Sequence, residues 1–157
     1  MLHAACVASG GGDVGSWARQ FGGVHHVASK KGSSRSLQKL RRAYADDPSR
    51  LVDVVRSAVV FTSASSLLAC FELIAKNSDI RRVKNRMDPS YDASLSAGYR
   101  DLSLNIALPL PDGRQHICEV QLHLSTMYAM KTDGGHQRYI AFRNALGILH
   151  ITCYLPI

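Results

Sequence analysis

Acidic residues are the scarce charge in this chain: twelve Asp and Glu stand against nineteen Lys and Arg, leaving a formal charge of +7 over 157 residues. A surplus of that size in a small protein disfavours cationic partners and favours polyanions such as nucleotides, nucleic acid or acidic lipid. Cysteine is sparse as well. Cys6, Cys70, Cys118 and Cys153 are widely spaced and form no C-x-x-C pair, which argues against a zinc knuckle and a disulfide framework. Cys70 and Cys118 lie in apolar runs and read as small core residues. No apolar run reaches the roughly 20 residues that span a bilayer. The N-terminal MLHAACVASGGG lacks the basic start and long apolar centre of a signal peptide. The expectation is a soluble, cytoplasmic protein with no membrane partner. The glycines between residues 10 and 23 are not followed by Gly-Lys-Ser/Thr, so they make no phosphate loop, and no G-x-S-x-G nucleophile motif is present. The single tryptophan, Trp17, reads as a packing anchor.

What is there is an ordinary globular balance, 46% hydrophobic and 20% charged, in a length that suits one domain. Residues 1–23 read as a flexible Gly/Ala/Ser-rich lead-in and residues 24–157 as the domain. From Ser33 or Ser34, Leu37, Leu40 and Tyr44 recur at helical spacing until Asp46-Asp47-Pro48, which predicts a helix with a basic outer face. LVDVVRSAVVF reads as a buried strand with one acid, Asp53, near its start. Ser63 or Ser65 opens a second helix that closes near Asn77-Ser78, followed by a basic strand from Asp79 to Met87 and a polar loop from Asp88 to Ala97.

Leu102, Leu104, Ile106 and Leu108 then alternate with polar or small residues at a period of two. Pro111-Asp112-Gly113 supplies a turn, and HICEVQLHL answers with Glu119, Gln121 and His123 on one face, so the two strands predict a hairpin. Its polar face is expected to set Tyr99, Asp101 and Ser103 across from Glu119, Gln121 and His123. Ser125 to Lys131 and His136 to Asn144 read as helices separated by Gly134-Gly135. The class is α/β (α+β).

Asp53 and Glu119 are the two acids that patterning places in the sheet region. Carboxylates converging from different strands are hard-oxygen donors suited to Mg²⁺, and nearby cations would hold the phosphates such a metal bridges. The alternative is that each acid pairs with a neighbouring arginine for structural reasons. The cations cluster at Lys30, Lys31, Arg35, Lys39, Arg41 and Arg42, then at Arg81, Arg82, Lys84 and Arg86. His123 and His136 show no metal-binding spacing.

Over about residues 27–144 the order of short motifs resembles the synthetase domain of the RelA/SpoT family. They are Ser29-Lys30-Lys31-Gly32-Ser33, Asp53-Val54-Val55-Arg56, Arg82-Val83-Lys84-Asn85, Gly98-Tyr99-Arg100-Asp101-Leu102-Ser103, Glu119-Val120-Gln121-Leu122-His123-Leu124 and His136-Gln137-Arg138-Tyr139. The resemblance implies a nucleotidyltransferase-like mixed sheet flanked by helices. It implies Mg²⁺-dependent transfer of pyrophosphate from ATP to the 3′-hydroxyl of a purine nucleotide. Asp53 and Glu119 would then be the metal and general-base carboxylates. Tyr99 would stack on the acceptor base, and Lys30, Lys31, Lys84 and Arg100 would hold phosphates, with Gln121, His136 and Tyr139 completing the nucleotide site. The departures are Gly32, Ala58, Leu95, Ala97, Ser103, His123 and Ile140, which fall mainly where the family grips nucleotide. A catalytically degenerate nucleotide- or RNA-binding module of the same fold is the competing expectation. A homo-oligomer is compatible with either.

Overall fold

The structure, a computed structural model, describes residues 12–96 and 98–132. Its helices are α1 (Val14–Gln20), α2 (Ser33–Ala43), α3 (Ala64–Asn77) and α4 (Ser125–Thr132). Its strands are β1 (Val24–Val27), β2 (Val55–Phe61), β3 (Asp79–Asn85), β4 (Leu102–Pro109) and β5 (Gln115–Leu124). The strands form one five-stranded sheet in the order β1-β2-β5-β4-β3. Only the central β2–β5 pair is parallel, so the sheet is mixed, and helices flank it.

The core lies on one sheet face. Val59, Phe61, Leu104, Ile106, Cys118, Val120 and Leu122 are almost fully buried there, against Leu67, Cys70 and Ile74 of α3 and Val14, Trp17 and Ala18 of α1. Cys70 and Cys118 are buried in this core and not joined in a disulfide, and burial pushes the Cys70 pKa up to about 11. The helix predicted from Ser63 is α3, with Ser63 accepting the Ser66 N–H at 3.1 Å as N-cap. The predicted hairpin is β4–β5, its turn closed by Gly113 at φ 79°.

The lead-in reading fails for residues 12–23. Asp13 and Ser16 make a reciprocal capping box that starts α1, and two crossed bonds stop it, Gly23 N–H to Ala18 O at 2.8 Å and Gly22 N–H to Arg19 O at 3.1 Å. The glycines that break the helical pattern are thus a helix stop, and the seven residues before it fill the core with Trp17. Residues 1–11, the helix expected at His136–Asn144 and the apolar C-terminal run lie outside the described residues. Gly23 is also spatially required: a Cβ there would stand 2.5 Å from Cε1 of Phe61. Gly23→Ala is therefore expected to destabilise the fold by about 1–3 kcal/mol, measured by chemical denaturation.

Two further differences concern strands. β1 was not anticipated, because V-H-H-V is too short to alternate; it forms by pairing with β2, Val24 opposite Val60 through Val27 opposite Ser57. β2 begins at Val55, so Asp53 sits ahead of the strand beside a bend at Val54. Helix α2 forms as expected, but it starts after Gly32 without a side-chain cap, and none of its residues is buried.

Candidate functional site

The sheet face opposite the core carries three polar rows, because directly paired residues of adjacent strands share a face. The first runs Arg82, Asn105, Glu119 and Arg56 across β3, β4, β5 and β2. The second runs Lys84, Ser103, Gln121, Ala58 and His26. Beyond the end of β3, the third sets Arg86, whose N–H donates to Asp101 O at 2.9 Å, beside Asp101 and His123.

Glu119 is the half-buried acid at the centre. Its Oε1 accepts the Ser103 hydroxyl at 2.9 Å and the Gln121 amide at 3.3 Å. Among the described residues it has no ion pair, although Arg56 lies directly opposite, and no hydrogen bond reaches its Oε2. Arg56 likewise makes no ion pair among the described residues, and its Nε is buried without a hydrogen-bond acceptor.

Asp53 behaves differently. Lys31 and Lys39 both donate to its Oδ2, Lys39 at 2.7 Å, while Oδ1 is buried and unbonded. The chain delivers Lys31 there by running residues 28–31 along β2, with Ala28 N–H bonded to Arg56 O at 3.3 Å and Lys31 N–H to Val54 O at 3.1 Å. Burial opposes the Asp53 charge, yet the two ammonium groups outweigh it and hold the carboxyl below its ordinary range. Burial lowers the Lys31 pKa, whereas for Lys39 burial acts downward but bonding to Asp53 and Tyr44 raises it overall. The structural pairing anticipated as the alternative therefore holds for Asp53, with lysines as partners, and not for Glu119.

A depressed folded-state pKa contributes stability that is complete above the unfolded value of about 3.9 and is lost as pH falls through the folded value. Asp53→Asn is expected to destabilise the protein at neutral pH, with the gap from wild type narrowing below about pH 4, as read by denaturant unfolding across pH.

Other predicted residues meet different surroundings. The Tyr99 hydroxyl donates to Asp101 Oδ2 at 3.0 Å and lies 3.2 Å from His123 Nδ1, and the Arg86 guanidinium sits 6.0 Å from the ring centroid. Burial, followed by the nearby Asp101, pushes the Tyr99 pKa far up, so it stays a phenol. His123 is fully buried and its ring stacks at a tilt against Tyr128, which itself stacks on His26 at 5.2 Å. Arg100 clamps a loop, donating to the carbonyls of Arg86, Asp88 and Tyr91 at 2.8–3.2 Å. Lys84 is exposed on the polar face, and partial burial, with Arg86 nearby, lowers its pKa. Lys30 is exposed ahead of α2. His136 and Tyr139 lie outside the described residues.

Sequence reasoning singled out Arg56 and Arg82 within their motifs but did not place them on the face of Glu119. The signal was available in parity: Arg56 is two residues before Ala58, the position of a family arginine, so it keeps the same face about 7 Å along the strand. Among the described residues no three His, Cys or carboxylate side chains are grouped to hold a metal. No helix among them is long and apolar enough to cross a membrane.

A mixed sheet with α1 and α3 on its core side, α4 against the opposite face, and a cation-rich polar face around an acid that has no ion pair among the described residues has the make-up of a nucleotidyltransferase-like α/β domain. Its fold is that of the small alarmone synthetases, the RelA/SpoT-type synthetase fold. Small alarmone synthetase 1 from Bacillus subtilis bound to its product pppGpp superposes with a TM-score of 0.60 at 14% identity, over 77% of this chain and 68% of that one. A GTP pyrophosphokinase family protein from Streptococcus pneumoniae gives 0.57 at 15% identity, over 79% and 64%. The type VI effector Tas1, solved with its immunity protein, gives 0.52 at 21% identity, over 73% of this chain and 53% of that chain. No protein-family model matches the sequence, and no curated protein matches it.

Proposed function

We propose that the chain is a divergent nucleotide pyrophosphokinase, moving pyrophosphate from ATP to the 3′-hydroxyl of a purine nucleotide. The observation that carries this reading is Glu119: a half-buried carboxylate held by Ser103 and Gln121 and, among the described residues, without an ion pair between the cations of its row. An acid so placed would repel phosphate in a simple polyanion-binding surface, but it suits a group that removes the acceptor proton.

In the reaction the acceptor 3′-oxygen attacks the β-phosphorus of ATP, its proton passes to Glu119, and the bond to the α-phosphate oxygen breaks to release AMP. Mg²⁺ fits the donors present. Asp53 Oδ1 is a buried, unbonded carboxylate oxygen and Glu119 Oε2 has no partner among the described residues, and this metal is commonly held by one or two carboxylates plus substrate phosphates. When bound it would neutralise charge on the polyphosphate. Lys31 and Lys39 keep Asp53 ionised, and Lys30 and Lys84 line the phosphate path. Tyr99 and Gln121, with His136 and Tyr139, would seat the nucleotides. Arg100 serves by fixing the loop that leads to Tyr99, since its two terminal nitrogens donate to three carbonyls.

A second reading rests on a particular observation: the charge of Asp53 is already matched by two lysines on its Oδ2, and Ala58 leaves the centre of the face neutral. That arrangement suits a non-catalytic nucleotide- or RNA-binding module. Incubation with β,γ-labelled ATP, Mg²⁺ and a panel of guanine and adenine nucleotides separates the two. Labelled 3′-pyrophosphorylated product supports the enzyme. Its absence with every acceptor, together with nucleotide binding unchanged in Glu119→Gln, supports the module.

A further inference from the structure

Arg56 stands out among the described cations. It sits on central strand β2, directly opposite Glu119, yet the two form no ion pair: Glu119 turns its Oε1 to Ser103 and Gln121. The Arg56 Nε is sealed from solvent with no acceptor. A buried guanidinium donor without a protein partner is costly and calls for an acceptor from outside the chain, water, ion or ligand. Neighbouring cations are committed elsewhere, Lys31 and Lys39 to Asp53 and Arg86 to Asp101. Burial is the main cause that lowers the Lys31 pKa, and repulsion from Arg56 adds a smaller part, which places the two cations near one another between the Asp53 cluster and the Glu119 row.

We propose that Arg56 is the central phosphate-gripping residue of this face, donating through Nε and its terminal nitrogens to a phosphoryl group of a polyphosphate. The planar guanidinium suits two parallel bonds to phosphate oxygens, which an ammonium cannot reproduce. Ala58, one row along on the same strand face, pairs with Gln121 and carries no charge, so Arg56 is the cation that β2 contributes to this face. This deepens the pyrophosphokinase reading and rests on it for the identity of the polyphosphate.

The test is calorimetric titration of the full chain with inorganic tripolyphosphate. Arg56→Gln is expected to weaken binding about 10- to 100-fold. Arg56→Lys should retain part of it, and Lys76→Gln, on the exposed end of α3, should bind as wild type. Equal loss in Lys76→Gln, or none in Arg56→Gln, overturns the proposal. Should Arg56→Gln not fold, the wild-type arginine Nε–H NMR spectrum decides: the resonance missing from Arg56→Lys must shift as tripolyphosphate is added, and an unmoved signal refutes it. Transfer from labelled ATP is followed in parallel. A wild-type chain that transfers while Arg56→Gln binds normally removes this inference alone. Arg56-dependent binding in a chain that transfers nothing removes the functional reading alone.

Discussion

Glu119→Gln is expected to lower the turnover number for pyrophosphate transfer by about 10²- to 10⁴-fold, the usual contribution of a positioned general base. The substitution is nearly isosteric, and the amide oxygen of glutamine still accepts the Ser103 hydroxyl that now holds Oε1 at 2.9 Å. The fold and the neighbouring cations should therefore be unaffected, and KM for ATP should change far less than turnover. What disappears is the proton acceptor and one negative charge facing Arg56. Steady-state kinetics with the acceptor found in the labelled-ATP panel checks this; a turnover within a few-fold of wild type would remove Glu119 from the chemistry.

The largest stability effect is expected at a residue that touches no substrate. Asp101 is fully buried and takes both the Arg86 guanidinium and the Tyr99 hydroxyl, the latter at 3.0 Å. Removing one member of a buried ion pair strands the other charge in a poorly solvated place. Asp101→Ala is thus expected to cost about 3–5 kcal/mol. In a domain of this size that corresponds to a melting temperature lower by roughly 10 °C or more. Asp101→Asn keeps an acceptor for the hydroxyl and should cost less. Thermal and denaturant unfolding read both. A loss below about 1 kcal/mol in the alanine variant would show that the pair is not needed to hold Tyr99 and the loop that Arg100 clamps.

Much of this architecture is legible without coordinates. The alternation of Leu102, Leu104, Ile106 and Leu108, answered by Val120, Leu122 and the polar Glu119 and Gln121, matches the β4–β5 ladder. Ser63 marks the start of α3 because a hydroxyl before an apolar helical run is a cap. Trp17 is a packing anchor, as its chemistry suggested. Less visible were α1, where closely spaced glycines masked a seven-residue helix, and β1, whose V-H-H-V has no period of its own. Both owe their existence to what they pack against: α1 to α3 and the sheet core, β1 to the edge of β2.

Local patterning decides which residues can share a face, since the period of a strand is set by backbone geometry. Glu119 was therefore bound to lie on a polar surface with Gln121, and Arg56 on the same side as Ala58. Partners come only from the folded chain, because they depend on contacts distant in sequence. Nothing local shows that Lys31 and Lys39 would close on Asp53 across 22 and 14 positions. Nor does it show that Arg100 would be spent on loop carbonyls, or that Glu119 and Arg56, facing each other on parallel strands, would form no ion pair with one another.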